Sequence, residues 1–187
     1  MCLVAMFSGV AVFEAAAGVL LGGTLKLPAT VVSLLFIAPI PGYLAGAGLS
    51  SVIARKSSEK HALIYGMVAA VIGSAIVLIP GLNDKTTAVT LVGGATVYFL
   101  GAGILFPAAT TGALTPFSSH AGTAGALLGG MQNFGAGIAT MAASVLPASN
   151  QLPLGIIMLI CAIFAMLGLI WVDKNPEIQT DRQVTAI

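Results

Sequence analysis

The sequence predicts an all-α membrane protein of six transmembrane helices, and three observations predict it: scarce charge, long uncharged runs, and apolar segments near helical spanning length. The 187 residues hold seven Lys or Arg and six Asp or Glu, 7% of the chain, against 58% hydrophobic residues. Mean hydropathy is +1.05. A soluble domain carries about 25% charge, and here too little polar sequence remains to cover the surface of one globular core. Lipid is therefore the solvent for most of the chain.

Residues 86–172 contain no Asp, Glu, Lys or Arg, and neither do residues 27–54. A spanning helix needs about 20 apolar residues, so the first run holds three crossings with short turns and the second holds one. Two further apolar stretches bring the total to six. The predicted spans are 2–22, 29–53, 62–79, 87–108, 121–145 and 154–172. Breaker or polar clusters separate them: Gly22-Gly23-Thr24 with Pro28, Ser57-Ser58-Glu59-Lys60, Pro80-Gly81-Leu82-Asn83-Asp84, Pro116 with Ser118-Ser119, and the stretch from Pro147 to Pro153. The runs do not alternate polar with apolar, which indicates helices rather than barrel strands.

Six spans put both termini on one side. That side holds Arg55, Lys56, Lys60, Lys174 and Arg182, whereas the other holds Lys26 and Lys85, so the positive-inside bias places both ends in the cytoplasm. Residues 1–172 form the bundle; residues 173–187, with mixed charge and no apolar periodicity, read as a disordered cytoplasmic tail. The first span lacks a basic leader and carries Glu14 inside its apolar run, so it reads as a true span and not a signal peptide. Cys2 and Cys161 lie in different spans without a CxxC spacing, as small packing residues would.

Most of the 23 glycines fall inside spans, where small residues let helix backbones approach. In the fifth span Gly122, Gly125, Gly129, Gln132 and Ala136 recur every three or four residues and share a face. Gly42, Ala45 and Gly46 follow Pro39 and Pro41 in the second span, and Gly101 and Gly103 precede Pro107 in the fourth. Tight packing accounts for these residues, and so do helices that bend or rock at Pro and Gly.

Glu14 is the one acidic residue within a predicted span. A charge near a helix centre costs roughly 2.5–3.5 kcal/mol on insertion scales, so it is expected to face the bundle or a wet cavity. Its small neighbours Ala11, Ala15, Ala17 and Gly18 leave room for a partner helix or water. It is a candidate proton carrier or cation counter-charge; a hydrogen-bonded structural glutamate is the plainer reading. Gln132 and Asn133 either hydrogen-bond a neighbouring helix or meet a ligand. Phe13, Tyr98 and Phe106, with Phe36, Tyr43, Phe99 and Phe134, either pack or line a cavity for flat apolar molecules.

Enzymatic readings lack a constellation. An intramembrane serine protease needs a histidine inside a span, and His61 and His120 both fall near polar loops. Two histidines, two cysteines and one intramembrane carboxylate build no metal site, no cofactor is implied, and no phosphate loop or basic nucleic-acid patch occurs.

Four runs carry a family resemblance: Phe13-Glu14-Ala15; Leu34-Leu35-Phe36-Ile37-Ala38-Pro39-Ile40-Pro41; Phe99-Leu100-Gly101-Ala102-Gly103-Ile104-Leu105-Phe106-Pro107; and Ala121-Gly122-Thr123-Ala124-Gly125-Ala126-Leu127-Leu128-Gly129-Gly130-Met131-Gln132-Asn133. From about Phe13 to Leu159 the chain closely resembles the C-terminal half of drug:proton antiporters of the major facilitator superfamily, related to bicyclomycin-resistance exporters. The resemblance implies spans seven to twelve of a bacterial inner-membrane multidrug exporter. Lipophilic small molecules and protons would be its partners, with a largely apolar cavity between two six-helix halves. It also implies that Glu14 matches an acidic position of the seventh span. Gly46 to Lys60 falls where the superfamily carries a glycine- and arginine-bearing loop; Arg55 and Lys56 are present and the usual aspartate is not. One half does not enclose such a cavity, so a second half, either an N-terminal half or a homodimer partner, is expected. The alternative is a membrane interaction or assembly module without transport of its own, or an inactive truncated half-transporter.

Overall fold

Among the described residues seven α-helices make the six crossings, because prolines break one crossing in two. The computed structural model describes residues 1–147 and 149–174. Helix α1, Cys2–Gly18, continues through a π-helical turn at Val19–Thr24, where Leu25 N–H reaches back to the Leu20 carbonyl at 2.9 Å. Helices α2, Ala29–Ile37, and α3, Pro39–Lys56, form one crossing with its break at Ala38. Pro39 and Pro41 donate no backbone hydrogen bond, so the last turn of α2 loses two of its regular partners. Then come α4, Glu59–Gly81; α5, Ala88–Leu114; α6, Ala121–Ser144; and α7, Leu152–Lys174.

Five continuous helical stretches are long and apolar enough to cross a membrane, and one of them, Ala88–Ser144, has 57 residues. At 1.5 Å per residue it would measure about 85 Å, nearly three times the hydrocarbon thickness. It is two crossings, α5 and α6, joined by a 3₁₀ turn at Thr115–His120 whose Phe117 leaves helical geometry at φ −115°, ψ 33°. Thus the expected fourth span runs six residues further, to Leu114, because Ala109 to Leu114 contain nothing that halts a helix. The α3–α4 connection is also shorter than a loop from Gly46 to Lys60. Helix α3 runs to Lys56, and only Ser57 and Ser58 remain before α4, with the Ser58 hydroxyl accepting from His61 N–H. Helix α7 reaches Lys174; residues 175–187, most of the expected tail, lie outside the described residues.

The packing repeats. Among the described residues, α5 lies against α3 and α4, and α1 lies against α6 and α7. The first span of each three-span unit is therefore held by the second and third spans of one of the units, α1 exchanging roles with α5, α3 with α6 and α4 with α7. That is the pattern of an inverted repeat. Helices α1 and α5 supply the largest buried side chains, among them Met6, Phe13, Leu21, Leu91, Tyr98 and Leu105. Where backbones meet, the residue is glycine. A β-carbon on Gly73 would stand 2.5 Å from Tyr98 N, and one on Gly94 would stand 2.7 Å from the Gly73 carbonyl oxygen. Hydroxyls within spans return to their own helix, Ser8 to Val4, Ser74 to Ala70 and Thr96 to Val92, each at 2.8 Å. No buried side-chain polar atom among the described residues lacks a partner, as a medium without water demands.

The two units are not equally tight. Helix α6 buries only Ala136, runs parallel to α1, and lies with Gly135 over Val4 and Ser8.

Candidate functional site

Glu14 is exposed on α1. It does not face the interior of this bundle; the interior side of the same turn is taken by Phe13, 1% exposed. Residues seven apart lie nearly on one helical face, so Glu14 shares its face with Phe7, two turns earlier, and with Gly18, one turn later. The Phe7 ring sits 6.3 Å from Phe106 of α5, and Phe106 sits edge-on to Tyr43 of α3 at 6.0 Å. On the other side of Glu14, a β-carbon at Gly18 would meet the Phe36 ring at 3.7 Å. The carboxylate is thus bracketed along one face of α1 by two aromatic groups drawn from α2, α3 and α5. Phe7 did not stand out in the sequence; its signal was its position seven residues before Glu14.

The other expected cavity aromatics divide. Phe106 and Tyr43 are half-buried beside Phe7. Phe13 and Tyr98 are buried. Phe13 is enclosed by Phe36 at 6.4 Å and by Phe99, edge-on, at 5.7 Å. Tyr98 is fully buried with its hydroxyl donating to the Met6 carbonyl at 3.3 Å. Both residues face the middle of the bundle, where α1 and α5 meet. Phe134 is exposed on α6.

Gln132 is half-buried on α6 and Asn133 is exposed, its side-chain amide donating to the Gly129 carbonyl at 2.9 Å. Since Gly135 lies over Val4 and Ser8, Gln132 and Glu14 are about 13–20 Å apart along the bundle by helix rise, and the structure does not bring them together. His61 and His120 are exposed at helix ends, hydrogen-bonded to Ser58 at 2.7 Å and Ser119 at 2.9 Å. Among the described residues no group of His, Cys, Asp or Glu could hold a metal ion.

The expected packing and bending residues also divide. Pro39 is buried and Pro41 exposed at the α2–α3 break, and Pro107 is exposed within α5. Gly101 lies against the Gly66 carbonyl of α4, and Gly103 against the Tyr43 carbonyl of α3. By contrast, Gly122, Gly125 and Gly129 have nothing within 4 Å of where a β-carbon would stand, so in this chain they pack against no helix. The register contributes: Gly135 lies over Val4 and Ser8 near the start of α1, so the three glycines fall on earlier turns of α6, where Leu128 and not a glycine packs against the core.

No family model matches the chain, and no solved structure matches it. Over 166 residues, 88% of its length, it is 37% identical to Multidrug resistance protein D of Escherichia coli (strain K12). The chain spans 41% of the length of that relative, a share consistent with one half of a twelve-span protein. A multi-pass membrane chain with an acidic residue framed by aromatics on an open face is thus similar, over nearly all its length, to the C-terminal half of a major facilitator drug:proton antiporter.

Proposed function

We propose that this chain is one six-span half of a proton-coupled exporter of amphipathic compounds, resident in a bacterial inner membrane with both termini in the cytoplasm. The observation that carries the reading is the exposure of Glu14 on a membrane span. An intramembrane carboxylate on lipid is expensive, so such residues face a cavity or a partner and mark ion and substrate paths. A second six-span half, covering the Glu14 face, turns that face into a cavity wall. The apolar walls then hold a lipophilic molecule, with Phe7, Phe106 and Tyr43 offering ring faces to a flat or cationic one. Glu14 takes up a proton from outside as the drug leaves and releases it inside, while the two halves rock about the site.

A second reading, an assembly module without transport, is favoured by the open glycine stripe at Gly122, Gly125 and Gly129. Such a stripe suits a close-packed partner helix.

Proteoliposomes containing the purified chain, alone and with a co-expressed N-terminal half, test the proposal through proton movement on adding a lipophilic cation. The wild type should move protons only where two halves are assembled, and Glu14→Gln should abolish the movement while sparing assembly measured by mass in detergent. Unaltered coupling in Glu14→Gln removes the role given to Glu14. Silence in every assembled form favours the module.

A further inference from the structure

The exposed amphipathic aromatics fall at one end of the bundle. Of three tyrosines and one tryptophan, Tyr98 is buried and Tyr43 half-buried, whereas Tyr65 of α4 and Trp171 of α7 are exposed. Glycines set these two helices in antiparallel register: a β-carbon on Gly81 would stand 2.6 Å from Leu152 Cα, and one on Gly155 would stand 2.6 Å from Leu78 Cα. Carried to the other end of α4, that register puts Trp171 level with Ala62, and so within about 5 Å of Tyr65 along the bundle by helix rise.

The same end collects the cations. Arg55 and Lys56 close α3 and Lys60 opens α4, all of them exposed. They are three of the seven Lys and Arg residues, within six positions of the sequence. Helical spacing separates them from the one acid nearby. Glu59 heads the buried stripe of α4, Gly66, Ala70, Gly73 and Val77. His61 heads the opposite, exposed stripe of Tyr65, Val68 and Ile72, with its ring 6.2 Å from that of Tyr65. Lys60 flanks this stripe one turn above exposed Ile64, and Arg55 and Lys56 stand one turn above exposed Val52. The other end differs: Lys26 and Lys85 sit on separate links, Asp84 neighbours Lys85, and no exposed tyrosine or tryptophan lies there among the described residues.

We infer that this end of α3, α4 and α7 binds the headgroup of an anionic phospholipid in the adjoining leaflet. Tyrosine and tryptophan rings settle at headgroup depth, and basic clusters just beyond a span attract anionic lipids. Arg55 offers a planar fork to the phosphate and the two lysines offer point charges. Val52, Ile64 and Val68, one or two turns deeper, meet the acyl chains. A zwitterionic headgroup carries its own ammonium beside the phosphate, which repels the cluster, so net negative charge is what the site selects.

Trp171 is the single tryptophan, so its fluorescence samples lipid at this end alone. With the chain in symmetric phosphatidylcholine vesicles, phosphatidylglycerol carrying brominated acyl chains should quench it more than equally brominated phosphatidylcholine at the same mole fraction. The relative binding constant should favour the anionic lipid about fivefold for each cation engaged. It should fall toward unity in about 1 M salt, where charges are screened within about 3 Å. Lys56→Gln/Lys60→Gln should lower it, whereas Lys26→Gln/Lys85→Gln, which removes the same charge from the other end, should not. Inorganic phosphate in the buffer should leave it unchanged. The salt arm uses the wild type and decides the matter even where a variant fails to fold or insert. Equal quenching by the two lipids, a preference that survives salt or the Lys56/Lys60 change, loss in the Lys26/Lys85 variant, or displacement by free phosphate would each overturn the inference.

Discussion

The ring of Tyr98 lies on Gly9: a β-carbon at Gly9 would stand 2.5 Å from Tyr98 Cζ. The same tyrosine donates to the Met6 carbonyl one turn earlier. The first spans of the two repeats, α1 and α5, are thus fixed by a residue with no side chain under one of the largest in the core.

Gly9→Ala should therefore destabilise strongly, since ring or helix must move, and forcing a carbon into a full core costs about 1–3 kcal/mol or more. Tyr98→Phe keeps the ring and loses only the hydrogen bond, worth about 0.6 kcal/mol on average in a membrane protein. Thermal unfolding in detergent, followed by circular dichroism, should rank Gly9→Ala well below Tyr98→Phe. Equal losses would mean that the hydroxyl, not the ring contact, holds the pair.

The glycines divide into those that separate helices and those that separate nothing. A β-carbon at Gly46 collides with the Leu100 carbonyl, while Gly125 and Gly129 have open space. Gly46→Ala should destabilise the bundle. Gly125→Ala and Gly129→Ala should leave the isolated chain unchanged or more stable, because alanine is favoured over glycine in a helix by up to about 1 kcal/mol. Unfolding midpoints in detergent check both, and a clear loss at Gly129→Ala would show that a partner helix already covers that face.

Crossings were legible because lipid imposes a one-dimensional rule, about twenty apolar residues without charge. The 3₁₀ link at Thr115–His120 and the break at Ala38 followed from prolines visible in the chain. Which glycines touch was not legible. Spacing put Gly122, Gly125 and Gly129 on one face, but only the offset of α6 against α1 decides whether anything lies opposite. What Tyr98 packs against was not legible for the same reason, since its partner, Gly9, is 89 positions away. Glu14 stood out by its charge alone, and its exposure needed the structure.

Gln151 was also invisible in sequence, though it ties three spans together. It is fully buried; its amide donates to the Val77 carbonyl at 2.6 Å and to Thr90 Oγ1 at 3.1 Å, and its oxygen accepts from Thr87 N–H at 3.2 Å. Beside it the Asn150 amide donates to Asp84 at 2.8 Å. Gln151→Leu would strand a buried carbonyl and an amide, each costing about 1–3 kcal/mol, whereas Asn150→Ala removes the exposed contact to Asp84 and the hydrogen bond that Asn150 Oδ1 accepts from Leu152 N–H at 2.9 Å, a capping loss of about 0.5–2 kcal/mol. Hydrogen exchange should speed up at Thr87 and Thr90 in Gln151→Leu only. Unchanged protection there would show that water replaces the side chain.

Topology gives the most direct check on the placement of the Glu14 face. Ser57 at the α3–α4 connection and Asn83 at the α4–α5 turn are both exposed and lie at opposite ends of α4. In a Cys2→Ala/Cys161→Ala background, Asn83→Cys should react with an impermeant maleimide in intact cells. Ser57→Cys, beside Arg55, Lys56 and Lys60, should react only after permeabilisation, because basic residues stay on the cytoplasmic side. The reverse pattern would place those cations outside. It would also invert the direction in which Glu14, past the midpoint of α1, meets the two aqueous phases, and with it the direction of proton flow proposed for an assembled transporter.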